Sequence, residues 1–241
     1  MSYQTLSHFY DQLTDDQPYE QWQNIIQHFL PTSRAKRVLD IGCGTGTLTT
    51  MYTAFADDIY GMDLSEDMIH LAQQKSSDVT WCIGDMTDFN LPTTFDLITI
   101  FCDSLNYVTD EADVLATFNH VYHHLNRDGI LMFDVHTVHK MLAQFNGAVY
   151  LDDREHLTLI WQTEPGDLPY SVWHDLTFFV NHEGTDDYRR YDETQFQRTL
   201  DKEIYTQMLQ SIGFRNITTF YDFEPQCQSE ESDRLFFIAT K

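Results

Sequence analysis

One stretch, Val38-Leu-Asp-Ile-Gly-Cys-Gly-Thr-Gly46, constrains this chain more than any other. An apolar run opening directly into glycines at alternate positions reads as a buried strand ending in a tight turn, and the segment to about Phe55 reads as the helix that follows. Gly42, Gly44 and Gly46 remove Cβ atoms from the turn, so a ligand can approach its backbone. The helix points its free N–H groups at the same place. A nicotinamide dinucleotide fingerprint, G-x-G-x-x-G, needs its third glycine at position 47, where Thr47 stands instead. That spacing argues against a dehydrogenase.

Strands and helices then alternate. Arg37–Ile41, Asp58–Met62, Val79–Ile83, Phe95–Phe101 and Gly129–Val135 read as five strands. Ser65 is placed to cap a helix whose first turn carries Glu66 and Asp67. Val114, Leu115, Phe118, Val121, Tyr122 and Leu125 form the apolar face of a longer helix. Before the glycine loop, the first 30 residues read as two helical pieces. The second carries Trp22, Ile25, Ile26, Phe29 and Leu30 at helical spacing and ends at Pro31. Such alternation predicts an α/β fold with a Rossmann-like parallel sheet covered on both faces.

Beyond Phe145 the pattern changes. Leu157–Trp161, Ser171–Val180 and Tyr188–Arg198 read as strands separated by Pro165-Gly166 and Glu183-Gly184 turns, so 146–200 is predicted to be an inserted antiparallel β-rich cap. A helix over Lys202–Ile212, stopped by Gly213, and strands near Asn216–Phe223 and Leu235–Thr240 return the chain to the core. Residues 1–145 and 201–241 form that core, with 1–30 as a helical segment over the ligand site.

Charge narrows the partners. Fourteen basic residues against 38 acidic ones give a net charge of −24, which repels phosphate backbones and anionic membranes and excludes a general nucleic-acid clamp. Between Val38 and Asn126, Lys75 is the sole basic residue among 14 acidic ones. The start of the chain shows no signal peptide and no stretch has the length of a membrane span, so a cytoplasmic location is expected. The four cysteines, without C-x-x-C pairing, read as reduced thiols, and no metal is expected. His120 and His124 have the i, i+4 spacing of a metal pair but no evident third ligand, and read as surface residues.

Two further acidic positions follow the glycine loop in order. Asp63 ends the second strand, where a carboxylate can accept both hydroxyls of a ribose. Gly84-Asp85-Met86 ends the third, where a carboxylate can accept an exocyclic amino group and Met86 can pack on a flat ring. With these motifs, VLDIGCGTG, GMDLSEDMI and GDM, the chain resembles the class I S-adenosylmethionine-dependent methyltransferases. His8-Phe-Tyr-Asp, Pro18-Tyr-Glu-Gln-Trp22 and Phe101-Cys-Asp-Ser-Leu-Asn-Tyr107 narrow the resemblance to the bacterial YqeM-like group of small methyltransferases. The resemblance implies a seven-stranded sheet in the order 3-2-1-4-5-7-6 with strand 7 antiparallel, and S-adenosylmethionine as cofactor. It also implies a cofactor site of Tyr10, Asp40, Gly42, Cys43, Gly44, Gly46, Asp63, Leu64, Met68, Gly84, Asp85, Met86 and Cys102. Asp63 would hold the ribose, Asp85 the adenine amino group, Leu64 and Met86 the ring, and Asp40 the amino end of the cofactor, often through water.

The acceptor side starts after the fourth strand. Cys102-Asp103-Ser104-Leu105-Asn106-Tyr107 lacks the Asn/Asp-Pro-Pro-aromatic signature common in enzymes that methylate amino groups of nucleic acid or protein, which favours a small-molecule acceptor. Asp103 and Tyr107 are candidates to orient an amine or hydroxyl, and His136 to act as general base, its ordinary pKa lying near neutrality. Asn106, Tyr107 and Arg198 are candidate substrate contacts. Cys43 and Cys102 lack the context of a nucleophilic cysteine. The expected reaction is in-line methyl transfer to N or O of a small molecule by a monomer or homodimer. A protein or RNA acceptor and a non-catalytic cofactor-binding protein are the alternatives. The acidity of the chain predicts a neutral or cationic acceptor.

Overall fold

A computed structural model of the chain describes residues 11–30, 35–181 and 187–241. Its main sheet has seven strands: β1 (Ala35–Ile41), β2 (Ala56–Asp63), β3 (Val79–Ile83), β4 (Phe95–Ile100), β5 (Leu125–His136), β10 (Arg215–Tyr221) and β11 (Arg234–Thr240). They lie in the order β10-β11-β5-β4-β1-β2-β3. β1 to β5 are parallel, whereas β11 is antiparallel to both β5 and β10. In core numbering this is the expected 3-2-1-4-5-7-6.

The near-continuous apolar runs explain why both faces are covered. With a side-chain period of two, Leu39, Ile41, Leu131, Phe133 and Val135 enter one core with Phe118, Tyr205 and Leu209. Val38, Leu97, Ile130, Met132 and Ile238 enter the other with Trp22, Ile25 and Ile26. The first core is covered by α4 (Glu111–His124) and α5 (Lys202–Ile212), the second by α1 (Tyr19–Phe29). Asp40, Asp134 and His136 share the even-numbered face with the second core's residues, so their burial needs a polar explanation.

Local signals act as read. Ser65 Oγ accepts the Met68 N–H at 3.3 Å at the start of α3 (Glu66–Lys75). Gly213, at φ +115°, ends α5 in a left-handed turn whose Phe214 N–H reaches the Leu209 carbonyl at 3.1 Å. Other boundaries differ. The helix after the glycine loop, α2 (Thr47–Met51), lasts five residues and tightens into a 3₁₀ turn at Tyr52–Ala54. β5 starts four residues earlier than expected, with a register shift opposite Phe95/Leu97 and Asp128 at φ +62°.

The segment between β5 and α5 forms its own antiparallel sheet of four strands, β6 (Val149–Asp153), β7 (Leu157–Pro165), β8 (Ser171–Asn181) and β9 (Tyr188–Arg198). β6 was not expected. It is a short edge strand whose Val149 and Leu151 are exposed, so no inside–outside alternation marks it. His124 corrects the surface reading: it is buried, its Nε2 accepts the Leu91 N–H at 3.0 Å, and its ring stacks on Phe89. Among the described residues no helix is long and apolar enough to cross a membrane.

Candidate active site

The carboxyl ends of β1 to β5 open onto a cavity of about 670 Å³, roofed by cap residues Leu159, Trp161, His174 and Leu176 and by Leu13, Thr14, Gln17 and Tyr19 of the N-terminal segment. This volume is typical of clefts that hold drug-sized ligands. Gly42, at φ +70°, lets the β1 turn pass against the β4 loop: a Cβ there would lie 2.6 Å from Ser104 Cβ. Gly46 serves another purpose. It lies outside the cavity lining, and a Cβ there would stand 2.4 Å from the Trp81 ring, which fills the slot between Gly46 and Gly61.

Asp63 ties the glycine loop to β2, Oδ2 accepting the Gly44 N–H at 2.8 Å and Oδ1 the Ser65 N–H at 2.9 Å. Burial pushes its pKa up, opposed by these N–H groups. A carboxylate has about four acceptor positions, so capacity remains for a diol in the cavity it lines. Leu64, 62% exposed, Met68 and Met86 give the same wall an apolar face, beside Gly84 and Asp85. Asp85 Oδ1 accepts the Thr87 N–H at 2.8 Å. Tyr10 lies outside the described residues.

A second, water-sized cavity of about 40 Å³ sits under the glycine loop, lined by Asp40, Cys43, Tyr19, Cys102 and Ser104 among others. Asp40 is buried beneath three hydroxyls: Thr49 Oγ1 at 2.6 Å, Thr99 Oγ1 at 2.7 Å and Tyr52 OH at 3.4 Å. Burial outweighs these bonds and pushes its pKa up to about 6. A carboxyl titrating near 6 in the fold and near 3.8 unfolded stabilises the fold at low pH, and this contribution is lost as pH rises through 6. Asp40→Asn is therefore expected to raise stability at pH 8 by roughly 2–3 kcal/mol, with little change at pH 4. Urea denaturation at both pH values measures this. Burial also pushes the Cys43 and Cys102 thiols well up, which removes the thiolate a nucleophile needs.

The β4 side of the cavity is built on a strained turn. Cys102 (φ +55°) and Asp103 (φ +52°) are both left-handed without being glycine. Asp134, fully buried on β5, holds them: Oδ1 accepts the Cys102 N–H at 3.0 Å and Trp22 Nε1–H at 2.8 Å, and Oδ2 accepts the Asp103 N–H at 3.1 Å. Arg234, first residue of β11, donates to Asp134 and, at 3.1 Å, to Asp103.

The turn aims Asp103 at His136, whose Nε2 lies 3.3 Å from Asp103 Oδ2. A hydrogen-bond chain from the cap meets the same carboxylate. Trp161 Nε1–H donates to His174 Nδ1 at 3.0 Å, which leaves the His174 proton on Nε2, 3.0 Å from Gln197 Oε1. Gln197 Nε2–H then donates to Asp103 at 3.1 Å. Burial alone would raise the Asp103 pKa, but His136, Arg234 and Lys140 hold it well below the usual carboxylate range. Burial pushes His136 down to about 4 against the pull of Asp103, so its ring is neutral at pH 7. With the proton on Nε2 facing Asp103, Nδ1 presents a lone pair, and that buried atom has no hydrogen-bond partner among the described residues.

Asp103, Tyr107, His136 and Cys102 thus share the cavity. Asn106 and Arg198 are outside its lining. Asn106 is fully buried, accepting the His136 N–H at 2.9 Å and donating to the Arg198 carbonyl at 2.8 Å. Arg198 clamps the cap to the core through the Thr109 carbonyl and Glu111, and also donates to the Pro169 carbonyl within the cap. Gln197, the alternative to Arg198 as an acceptor contact on the same strand, does line the cavity, whereas Asp134, Lys140, His174, Gln195 and Arg234 were not expected. Asp134 alone left a trace in the sequence, as a carboxylate inside an otherwise apolar strand.

Known proteins agree with this architecture. The methyltransferase-domain family matches residues 38–129. The YqeM protein of Bacillus subtilis, assigned as a methyltransferase, is 40% identical over 249 residues, spanning 100% of this chain and 98% of its own. An S-adenosylmethionine-dependent methyltransferase from Clostridium acetobutylicum superposes with a TM-score of 0.86 at 24% identity, over 99% of this chain and 98% of that one. An S-adenosylmethionine-bound amino pentose methyltransferase from Micromonospora echinaspora superposes with a TM-score of 0.77 at 20% identity, over 100% and 98% of the two chains. The chain belongs to the methyltransferases, in the group that includes YqeM.

Proposed function

We propose that the protein methylates an N–H or O–H group of a small molecule bound between the β4–β5 edge and the cap, with His136 as the proton acceptor. The observation that carries this reading is His136, a residue of the cavity wall whose buried Nδ1 has no hydrogen-bond partner among the described residues. Gly42, Gly44, Asp63, Leu64, Asp85 and Met86 fit S-adenosylmethionine, offering a wall free of Cβ atoms, a ribose acceptor and an apolar ring face. When bound there, the cofactor supplies an electrophilic methyl group.

The chain's own residues do the rest. The proton released by the acceptor passes to His136 Nδ1, and Asp103, opposite Nε2–H, stabilises the imidazolium that forms. Tyr107, donating to Gln195 Oε1 at 2.7 Å, faces the same space from the β4 loop. The cap and the N-terminal segment exclude water. That the amino pentose enzyme of similar fold acts on a sugar supports a small acceptor.

Labelled S-adenosylmethionine incubated with the protein and separated small-molecule and macromolecular fractions of a lysate tests the reading. Label is expected in small molecules, and label confined to protein or RNA overturns it. Asp63→Ala is expected to weaken S-adenosylhomocysteine binding at least tenfold, the loss of one or two charge-assisted hydrogen bonds, as read by calorimetry.

A further inference from the structure

The acceptor half of the cavity contains a cation that the reaction above does not use. After β5 the chain makes a single π-turn, Lys140–Gln144, in which the Phe145 N–H bonds the Lys140 carbonyl five residues back at 3.1 Å. Thr137 Oγ1 fixes its start, accepting the Lys140 N–H at 3.0 Å and donating to the Ser232 carbonyl at 2.6 Å. Phe145 and Met141 anchor it in a small core with Val172. The i+5 spacing brings the Phe145 ring beside the side chain of Lys140, whose Nζ stands 5.2 Å from the ring centroid. His136 and His174 pack on the same ring at 5.4 and 5.0 Å. Lysine, both histidines and the aromatic residue all line the one cavity.

In a chain with 38 acidic residues against 14 basic ones, a half-buried lysine at a cavity wall should find a carboxylate. Among the described residues none lies within ion-pair distance of Lys140 Nζ. The acids nearest in charge terms are committed elsewhere. Asp103 accepts from Arg234 and Gln197 and faces His136, while Asp134 accepts from Arg234, Trp22 and two backbone N–H groups. Asp233 accepts from Gln144, inside the same π-turn. Burial lowers the Lys140 pKa, the mark of an ammonium taken from water without full compensation.

We infer that Lys140 is an anion-recognition site for the acceptor, so that the methylated molecule carries a carboxylate or phosphate group close to the N–H or O–H that faces His136. The inference rests on the cavity being the acceptor site. It reverses, locally, the neutral or cationic acceptor expected from the overall charge. The acid-rich glycine-loop end suits a cationic donor, whereas the far end offers an ammonium without an ion pair among the described residues, beside an aromatic wall of Phe145 and Trp161. A point-charge ammonium suits either anion, because it imposes no fixed fork geometry.

Calorimetry on protein saturated with S-adenosylhomocysteine tests this with three ring compounds of similar shape: phenylacetate, phenyl phosphate and phenylacetamide. At least one anion is expected to bind tenfold or more tighter than the amide. Lys140→Met should abolish that difference and Lys140→Arg should retain it, while the S-adenosylhomocysteine affinity of both variants stays within about twofold of the parent. The relative strength of carboxylate and phosphate identifies which group the acceptor carries. Equal binding of anion and amide, a preference that survives in Lys140→Met, or no anion binding at millimolar concentration overturns the inference. These readouts need no turnover, so they are independent of the label-transfer outcome that tests the reaction itself.

Discussion

Replacing Asp134 by alanine should lower the free energy of unfolding by about 3–5 kcal/mol, the cost of leaving one member of a buried ion pair without its partner. Asp134 is fully buried and Arg234 has only 14% of its side chain exposed, so solvent cannot take over the guanidinium charge. The carboxylate also receives Trp22 Nε1–H and the N–H groups of Cys102 and Asp103, each of which would become an unsatisfied buried donor costing about 1–3 kcal/mol where water cannot reach it. The double variant Asp134→Leu with Arg234→Met removes the orphaned charge but not the orphaned donors, so it should regain part of the loss. Urea unfolding of parent, single and double variants, with m-values compared, separates the two contributions. A single variant within 1 kcal/mol of the parent would contradict this account of the loop.

His136→Ala should reduce kcat by about 10²–10⁴-fold, the range of a lost general base, with S-adenosylhomocysteine affinity unchanged because the residue is on the acceptor side. In the parent the base form persists down to about pH 4, so the acid limb of kcat/KM is expected near that value and well below the 6–7 of an exposed histidine. Stability has a linked signature. Between about pH 6.5 and 4 the unfolded chain binds a proton at this histidine that the fold refuses, so its contribution is complete above 6.5 and falls as pH drops towards 4. The alanine variant should lose that slope. A kcat within threefold of the parent would remove His136 from the reaction.

Much of the glycine-loop half of the cavity was legible because it rests on local chemistry. The glycines, Asp63 and Gly84-Asp85-Met86 each end a strand read from its own residues, and parallel neighbours bring successive strand ends to one edge. Even there Gly46 misled. Besides its left-handed φ of +79°, which the turn itself demands, the lack of room for a Cβ comes from Trp81, 35 positions later, and no local pattern discloses that contact. The acceptor half depends on pairing between distant segments. Asp103 meets Gln197 and Arg234 across 94 and 131 positions, and no spacing rule links them. Asn106 and Arg198 have residue types that suit a ligand, but each is spent joining the β4 loop to the cap. β6 lacked alternation because an exposed edge strand need not bury either face.

The antiparallel course of β11 has a consequence for synthesis. Because β11 runs against its neighbours, its first residue, Arg234, arrives at the carboxyl edge of the other strands and meets Asp134, 100 positions earlier. A chain emerging from the ribosome can pair β1 to β4, and with them assemble the glycine loop, once about 100 residues are free. The strained Cys102–Asp103 turn has no counter-charge for its anchoring carboxylate until Arg234, 131 positions beyond Asp103, has been made. The glycine-loop end of the cavity can therefore take shape before the end roofed by the cap is completed.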